Sequence, residues 1–261
     1  MTSALMYHDV VAVGAEDTSG FPGRDAALYK VTPEQFEEHL EAIEKRLRAN
    51  PVPPAPVLTF DDGGASAMRA ADALERHRFV GHFFITANYI GTRGFVTAQN
   101  LRELGGRGHV VGSHSCSHPL RMGHCAWAQL LDEWTRSRSI LSDILGEDVT
   151  VASVPGGDFA PQVAEAAARA GFTRLFTSEP TLERRGAFGL MLLGRMTIQR
   201  WTTAQTAAAL AAGEWLPCAR QAVVWNAKKI SKRVGGERYL QIRKLLLGHR
   251  SEVKWGDRIA D

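Results

Sequence analysis

The chain is poor in cysteine. Its 261 residues hold three, Cys116, Cys125 and Cys218. An odd number without paired spacing excludes a disulfide framework as the source of the fold. The sequence also lacks any apolar run near the roughly 18 residues that a membrane-spanning helix needs. "MTSALMYHDV" shows no basic region followed by a long apolar stretch, so no secretory leader is expected and the expected location is cytoplasmic. Neither sign of charge dominates: 31 Lys and Arg face 28 Asp and Glu, a formal net charge of +3. That excess is too mild to argue for a nucleic-acid partner. No internal repeat is visible, and no low-complexity run beyond "PVPPAP" at 51–56. What remains is a globular composition with enough length to bury one large core.

Short apolar runs alternate with helical periodicity. "ALMYH" (4–8), "VLTF" (57–60), "VGHFFITA" (80–87), "HVVGS" (109–113), "VASV" (151–154) and "RLFTS" (174–178) read as buried strands. Residues 9–30 read as a Gly- and Asp-rich loop. Residues 32–50 read as a helix: Thr32 caps it, Pro33 suits the first turn, and Phe36, Leu40, Ile43 and Leu47 form one stripe. His39 on that helix is expected to be solvated. Further helices are expected over 65–77, 97–108, 125–145, 160–170 and 202–213. This alternation, with continuous apolar strands, predicts a mostly parallel sheet covered by helices. Both a β/α barrel and an open doubly wound sheet fit. The barrel is favoured because the polar groups cluster after strand C-termini, which share one face in a barrel.

Three such clusters carry chemistry. "TFDDGG" puts Asp61 and Asp62 directly after a strand. Neighbours in extended chain point in different directions, so one carboxylate can bind a metal while the other faces a substrate water; the same residues also suit a plain Asp-Gly turn. "HSCSH" puts His114 and His118 four apart, with Cys116 between. Two imidazoles and a carboxylate are a common catalytic metal set with open positions for water and substrate. "VPGGDFAP" offers a tight turn at Pro155, Gly156 and Gly157.

These residues resemble the polysaccharide deacetylases, carbohydrate esterases of the NodB-homology type. "TFDDG" is similar to their first motif, "HSCSH" followed by Pro-Leu to their second, and "VPGGDFAP" to their Pro-x-Gly third motif. "LMYHDV" resembles a Tyr-His-x-Val strand of a subset acting on exopolysaccharide. The resemblance covers roughly residues 4–200. It implies a distorted β/α barrel and a divalent metal: zinc in most members, cobalt or nickel in some. Carried over, Asp62, His114 and His118 are the metal ligands and Asp61 is the general base. Cys116 falls at a variable position and is not a ligand. The Pro155–Gly157 turn contacts substrate, with the Gly156 N–H stabilising an oxyanion.

The late motif departs from that pattern. Where the family carries a histidine that protonates the leaving amine, this chain reads "LLGRMTIQRW" (192–201). The arginine often found before the third-motif proline is absent too; Ala152 and Ser153 stand there. Arginine is a poor proton donor at neutral pH, so Arg195 is read as binding Asp61 or the substrate. His8 is the candidate acid, against a plain reading as a buried strand histidine. Trp201 is read as a sugar-stacking residue or as core.

The barrel is expected to fill residues 1–215, followed by a basic amphipathic tail, 216–261. Within it, 219–250 reads as two basic amphipathic helices around Gly235 and Gly236, suited to packing, assembly or peripheral membrane contact. The expected activity is metal-dependent removal of N-acetyl groups from a sugar in a polysaccharide, oligosaccharide or lipid-linked precursor. Its rivals are a non-catalytic sugar-binding scaffold and a deformylase or amidase acting on another C–N bond. The sequence leaves the oligomeric state open.

Overall fold

A computed structural model describes residues 3–49 and 55–227. The strands are β1 (Ala4–Tyr7), β2 (Val57–Phe60), β3 (Gly81–Ile85), β4 (Val110–Ser113), β5 (Val151–Ser153), β6 (Arg174–Phe176), β7 (Arg184–Ala187), β8 (Leu190–Leu193) and β9 (Met196–Thr197). The helices are α1 (Arg24–Ala27), α2 (Pro33–Ala49), α3 (Ala67–Arg76), α4 (Ala98–Gly106), α5 (Trp127–Leu145), α6 (Pro161–Arg169) and α7 (Ala204–Ala211). Another helix covers 215–227. The strands form one curled sheet in the order β7-β8-β6-β5-β4-β3-β2-β1-β9. Every pairing is parallel except β7 with β8. This is the distorted β/α barrel, left open between β9 and β7.

The helix starts follow local chemistry. Thr32 Oγ1 accepts the Gln35 N–H while Gln35 Oε1 accepts the Thr32 N–H, closing a capping box on α2. Thr97 with Asn100 does the same on α4, and Thr203 caps α7. Phe36, Leu40 and Ile43 of α2 are buried against the outer face of the sheet. There the register pairs Tyr7 with Phe60 and Phe60 with Phe83, and the three rings stack at 5.5 and 4.9 Å. His39 belongs to this packed layer rather than to solvent: it is 1% exposed, with Nδ1 against Tyr7 Oη and Nε2 against the Thr202 carbonyl. The expectation of a solvated His39 fails because its helix face points at β1, not at water.

Strand alternation separates an inner set from this outer core. Ala4, Phe84, Val151, Phe176 and Leu193 form the inner cluster, with Val57 and Val110 against it. Counting by twos along the same strands toward their C-termini leads to His8, Asp61, His114, Ser153 and Arg195. The barrel mouth is therefore lined by one layer of inward-facing polar side chains.

The sequence does not announce β7, β8 and β9. β7 is an exposed polar edge, and its hairpin turns through Phe188 and Gly189, both at positive φ (54° and 81°). Such a turn is normally signalled by Asn-Gly; phenylalanine there hides it. The chain after 215 packs on the barrel at its start: Cys218 joins the core and Gln221 bonds both the N–H and the carbonyl of Thr197. Of the basic segment 219–250, the part after 227 lies outside the described residues, as does the remainder of the chain to 261. No helix among the described residues is long and apolar enough to cross a membrane.

Candidate active site

Register brings the first groups together. Tyr7 pairs with Phe60, so the next residues, His8 and Asp61, are neighbours, and the Asp61 N–H donates to the Tyr7 carbonyl. Ser113 pairs with Ala152, so His114 lies beside Ser153 and its Nδ1 sits 3.0 Å from the Ser153 carbonyl. Donation from Nδ1 to that carbonyl leaves Nε2 with its lone pair free for a metal.

Asp62 Oδ1 lies 3.4 Å from His114 Nε2 and 3.4 Å from His118 Nε2. One ligand atom from each of Asp62, His114 and His118 falls within 4.8 Å of the others. A borderline-soft divalent ion suits this donor set: two imidazoles, each able to offer Nε2, around one buried carboxylate. The electrostatics agree. Burial raises the Asp62 pKa, but the two imidazoles outweigh it and hold the carboxyl well below its usual range. Burial lowers the His118 pKa, yet Asp62 reverses that and the imidazole ends up more basic than usual. The three side chains are poised around a common centre where a cation would replace protons.

The backbone here is strained. Asp62, Ser115 and His118 have φ of 75°, 65° and 59°. Left-handed non-glycine residues cost about 1–3 kcal/mol each and persist only where surroundings over-determine them. For the histidine loop the surroundings are Glu133, a buried carboxylate on α5. It accepts the backbone N–H groups of Cys116 and Ser117, both at 2.8 Å, and the Ser117 hydroxyl. Sequence reading missed Glu133. Its signal was an acid on a helix stripe otherwise made of Leu130, Trp134, Ser137 and Leu141. For the aspartate turn the surroundings include Asp9. A Cβ on Gly64 would lie 2.0 Å from Asp9 Oδ1, so the second glycine of "DDGG" makes room for a buried carboxylate. The Asp-Gly turn is present, and it carries Asp62 into the cluster with His114 and His118.

Arg195 is fully buried. Nη1 and Nη2 donate to the two Asp61 oxygens at 2.6 and 2.8 Å, a bidentate pair. The remaining donors reach Thr59 Oγ1, Ser153 Oγ and the Thr177 carbonyl. Of its two sequence readings, the structure shows the contact with Asp61. At 0% exposure it cannot touch a substrate. Burial raises the Asp61 pKa, but Arg195 first and His114 next outweigh it, so the carboxyl stays ionised below its usual range.

His8 stands at the same mouth. Its ring lies 4.9 Å from that of Tyr29, and its buried Nδ1 has no hydrogen-bond partner among the described residues. The Pro155–Gly157 turn follows β5, with Gly156 and Gly157 at φ of 64° and 65° and Gly156 against the Leu120 carbonyl of the histidine loop. Trp201 is 57% exposed, which excludes a core role. It sits beside Arg200, whose N–H donates to the Leu28 carbonyl. Cys116 points away from the cluster: Sγ donates to Asn88 Oδ1, and burial pushes its pKa up.

Comparison with known proteins agrees with this geometry. Residues 48–175 match the polysaccharide deacetylase family model. The peptidoglycan-N-acetylmuramic acid deacetylase PdaA of Bacillus subtilis is 29% identical over 124 residues, which is 46% of this chain and 45% of that protein. The chain spans about half the length of the curated relatives it matches first. Among solved structures, the deacetylase PplD of Streptococcus pyogenes, determined in complex with acetate, superposes with a TM-score of 0.66 at 20% identity, covering 82% of this chain and 98% of that one. IcaB from Ammonifex degensii gives 0.65 at 20% identity, covering 80% and 97%. At these identities the structures establish the shared fold, and the family match establishes the kinship. Through residues 48–175 the chain belongs to the polysaccharide deacetylase family.

Proposed function

We propose that the chain is a metal-dependent hydrolase that removes N-acetyl groups from an N-acetylated sugar in a polysaccharide, oligosaccharide or lipid-linked precursor. One observation carries this reading: a three-ligand cluster, Asp62, His114 and His118, next to a separate buried carboxylate that is held ionised at the barrel mouth. A divalent ion, with zinc the best match to two imidazoles and a carboxylate and cobalt or nickel as substitutes, would supply Lewis-acid polarisation and a more acidic water. The chain's own residues supply the rest. Asp61 accepts the proton of the attacking water. The Gly156 N–H is offered to the developing oxyanion. His8 donates the proton that lets the amine leave; its position beside Asp61 at the end of β1 supports this role, and no histidine occurs within 192–201. Arg195 positions Asp61 and does not touch the reacting atoms.

The test is acetate release from N-acetylglucosamine oligomers together with metal analysis. Asp61→Asn should keep the metal and lose release by at least about 100-fold. His114→Ala should lose both. The non-catalytic sugar-binding alternative draws on the absent late-motif histidine; it is favoured if the wild type binds metal and oligomer yet releases nothing. Release of formate or of a non-sugar amine with no acetate from sugars would favour the deformylase or amidase alternative.

A further inference from the structure

The loop over 9–30 lies before residue 48, where the family match begins. It is tied down in an unusual way. The Lys30 ammonium is buried and donates to the carbonyls of Glu16, Ser19 and Phe21 at 2.6, 2.6 and 2.8 Å, 3.7 Å from Asp9 Oδ2. All three of its donors are used inside the loop. Asp9 Oδ1 in turn accepts the hydroxyls of Ser19 and Ser66. The Gly20 N–H and the Ala65 N–H share the Gly94 carbonyl. The loop is thereby fastened both to the end of β1 and to the turn that carries Asp61 and Asp62.

This fastening delivers two aromatic rings to the candidate site. Phe21, whose carbonyl Lys30 holds, has its ring 4.8 Å from that of the ligand His118. It is braced edge-on by Tyr89 and Phe95 at 4.9 and 5.2 Å. Tyr29, next to Lys30, has its ring 4.9 Å from that of His8. Both rings are half-buried, whereas Phe95 behind Phe21 is buried. A metal-ligand histidine and the candidate proton donor thus each carry an aromatic from the same segment. Pyranose rings present flat C–H faces that pack on aromatic rings, and binding pockets pair such apolar walls with a few polar groups.

We propose that the loop 9–30, locked by Lys30 and Asp9, forms the sugar-facing wall of the site, with Phe21 and Tyr29 as its stacking faces. This rests on the deacetylase reading above. It places sugar selection in a segment outside the matched family region, while the acetyl chemistry stays on the strand ends.

The experiment uses the full chain loaded with zinc. Binding of an N-acetylglucosamine oligomer is measured by calorimetry, zinc affinity by chelator competition, and acetate release in parallel. Phe21→Leu and Tyr29→Leu keep apolar bulk and remove the π face. Each should weaken oligomer binding by about tenfold, which corresponds to about 1.4 kcal/mol, and leave zinc affinity unchanged. Unchanged oligomer binding in both variants would overturn the wall. So would a parallel loss of zinc in Phe21→Leu, which would make Phe21 only a packing partner of His118. A wild type that binds the oligomer without releasing acetate would sink the deacetylase reading and leave the wall standing. A wild type that does not bind the oligomer overturns both.

Discussion

Replacing Arg195 tests whether Asp61 is held by a guanidinium borrowed from beyond β8. In Arg195→Met the side-chain volume is roughly kept and the charge is lost. Asp61 would then sit 3% exposed without its guanidinium, and the nearest basic group left would be the His114 imidazole, its Nε2 3.9 Å from Oδ2. Its surviving side-chain hydrogen bond among the described residues would be from the Ser153 hydroxyl, at 3.3 and 3.4 Å. Thr59 Oγ1 would keep its own bond to the Leu5 carbonyl, but the Thr177 carbonyl would lose the Arg195 Nε–H. Breaking a buried ion pair by removing one partner costs about 3–5 kcal/mol, because the other charge stays buried and uncompensated. Adding Asp61→Asn removes that charge, so the double variant should recover about 2 kcal/mol or more of the loss. Arg195→Lys should fall between, since an ammonium keeps the charge and cannot form the fork. Urea unfolding followed by tryptophan fluorescence at pH 7, with chelator present, reads this without assuming any activity. A cost below about 1 kcal/mol for Arg195→Met, or two substitutions that add without coupling, would refute the pairing.

Three further outcomes follow from the same geometry. Glu133→Gln should weaken zinc affinity by about 10–100-fold, read by chelator competition, because the loop holding His114 and His118 loses a carboxylate that takes three of its donors; unchanged affinity in a folded variant would refute the role. Lys30→Met should cost about 3–5 kcal/mol in urea unfolding, since Asp9 would stay buried without its cation; a loss no larger than that of a surface substitution would show that the loop is held some other way. His82, inside the barrel against Phe176, has its pKa pushed down from 6.5 to about 4 by burial and by Arg174. The unfolded chain therefore takes up a proton that the folded chain refuses as pH falls below 6.5. Stability present above that value drains away toward pH 4, by about 2–3 kcal/mol for this one group. His82→Leu should flatten that acid-side slope in denaturation curves measured between these pH values, and an unchanged slope would count against it.

Much of the architecture was legible because it rests on local rules. Parallel strands buried on both faces must be apolar throughout, so β1 to β6 stand out as runs, and the capping residues Thr32, Thr97 and Thr203 mark helix starts. The cluster of Asp62, His114 and His118 was legible because its groups are polar side chains at strand ends, where apolar periodicity stops. The β7–β8 hairpin was not, since Phe188 occupies a left-handed turn position that sequence rules assign to asparagine or glycine. Nor was the burial of His39, because a polar residue on a helix reveals nothing of the sheet it will meet.

What the sequence alone determined is the set of parts: an alternating β/α chain, two aspartates after one strand, two histidines after another, and a late segment with arginine in place of histidine. Only the tertiary structure decided how they combine. Strand register places His8 beside Asp61 and His114 beside Ser153, and the inward parity of β8 carries Arg195 across the barrel to Asp61. It also sends Glu133 to the histidine loop and folds Phe21 and Tyr29 over the mouth. Those partners are 16 to 134 residues apart, so their meeting depends on sheet order and pleat, which no local pattern encodes.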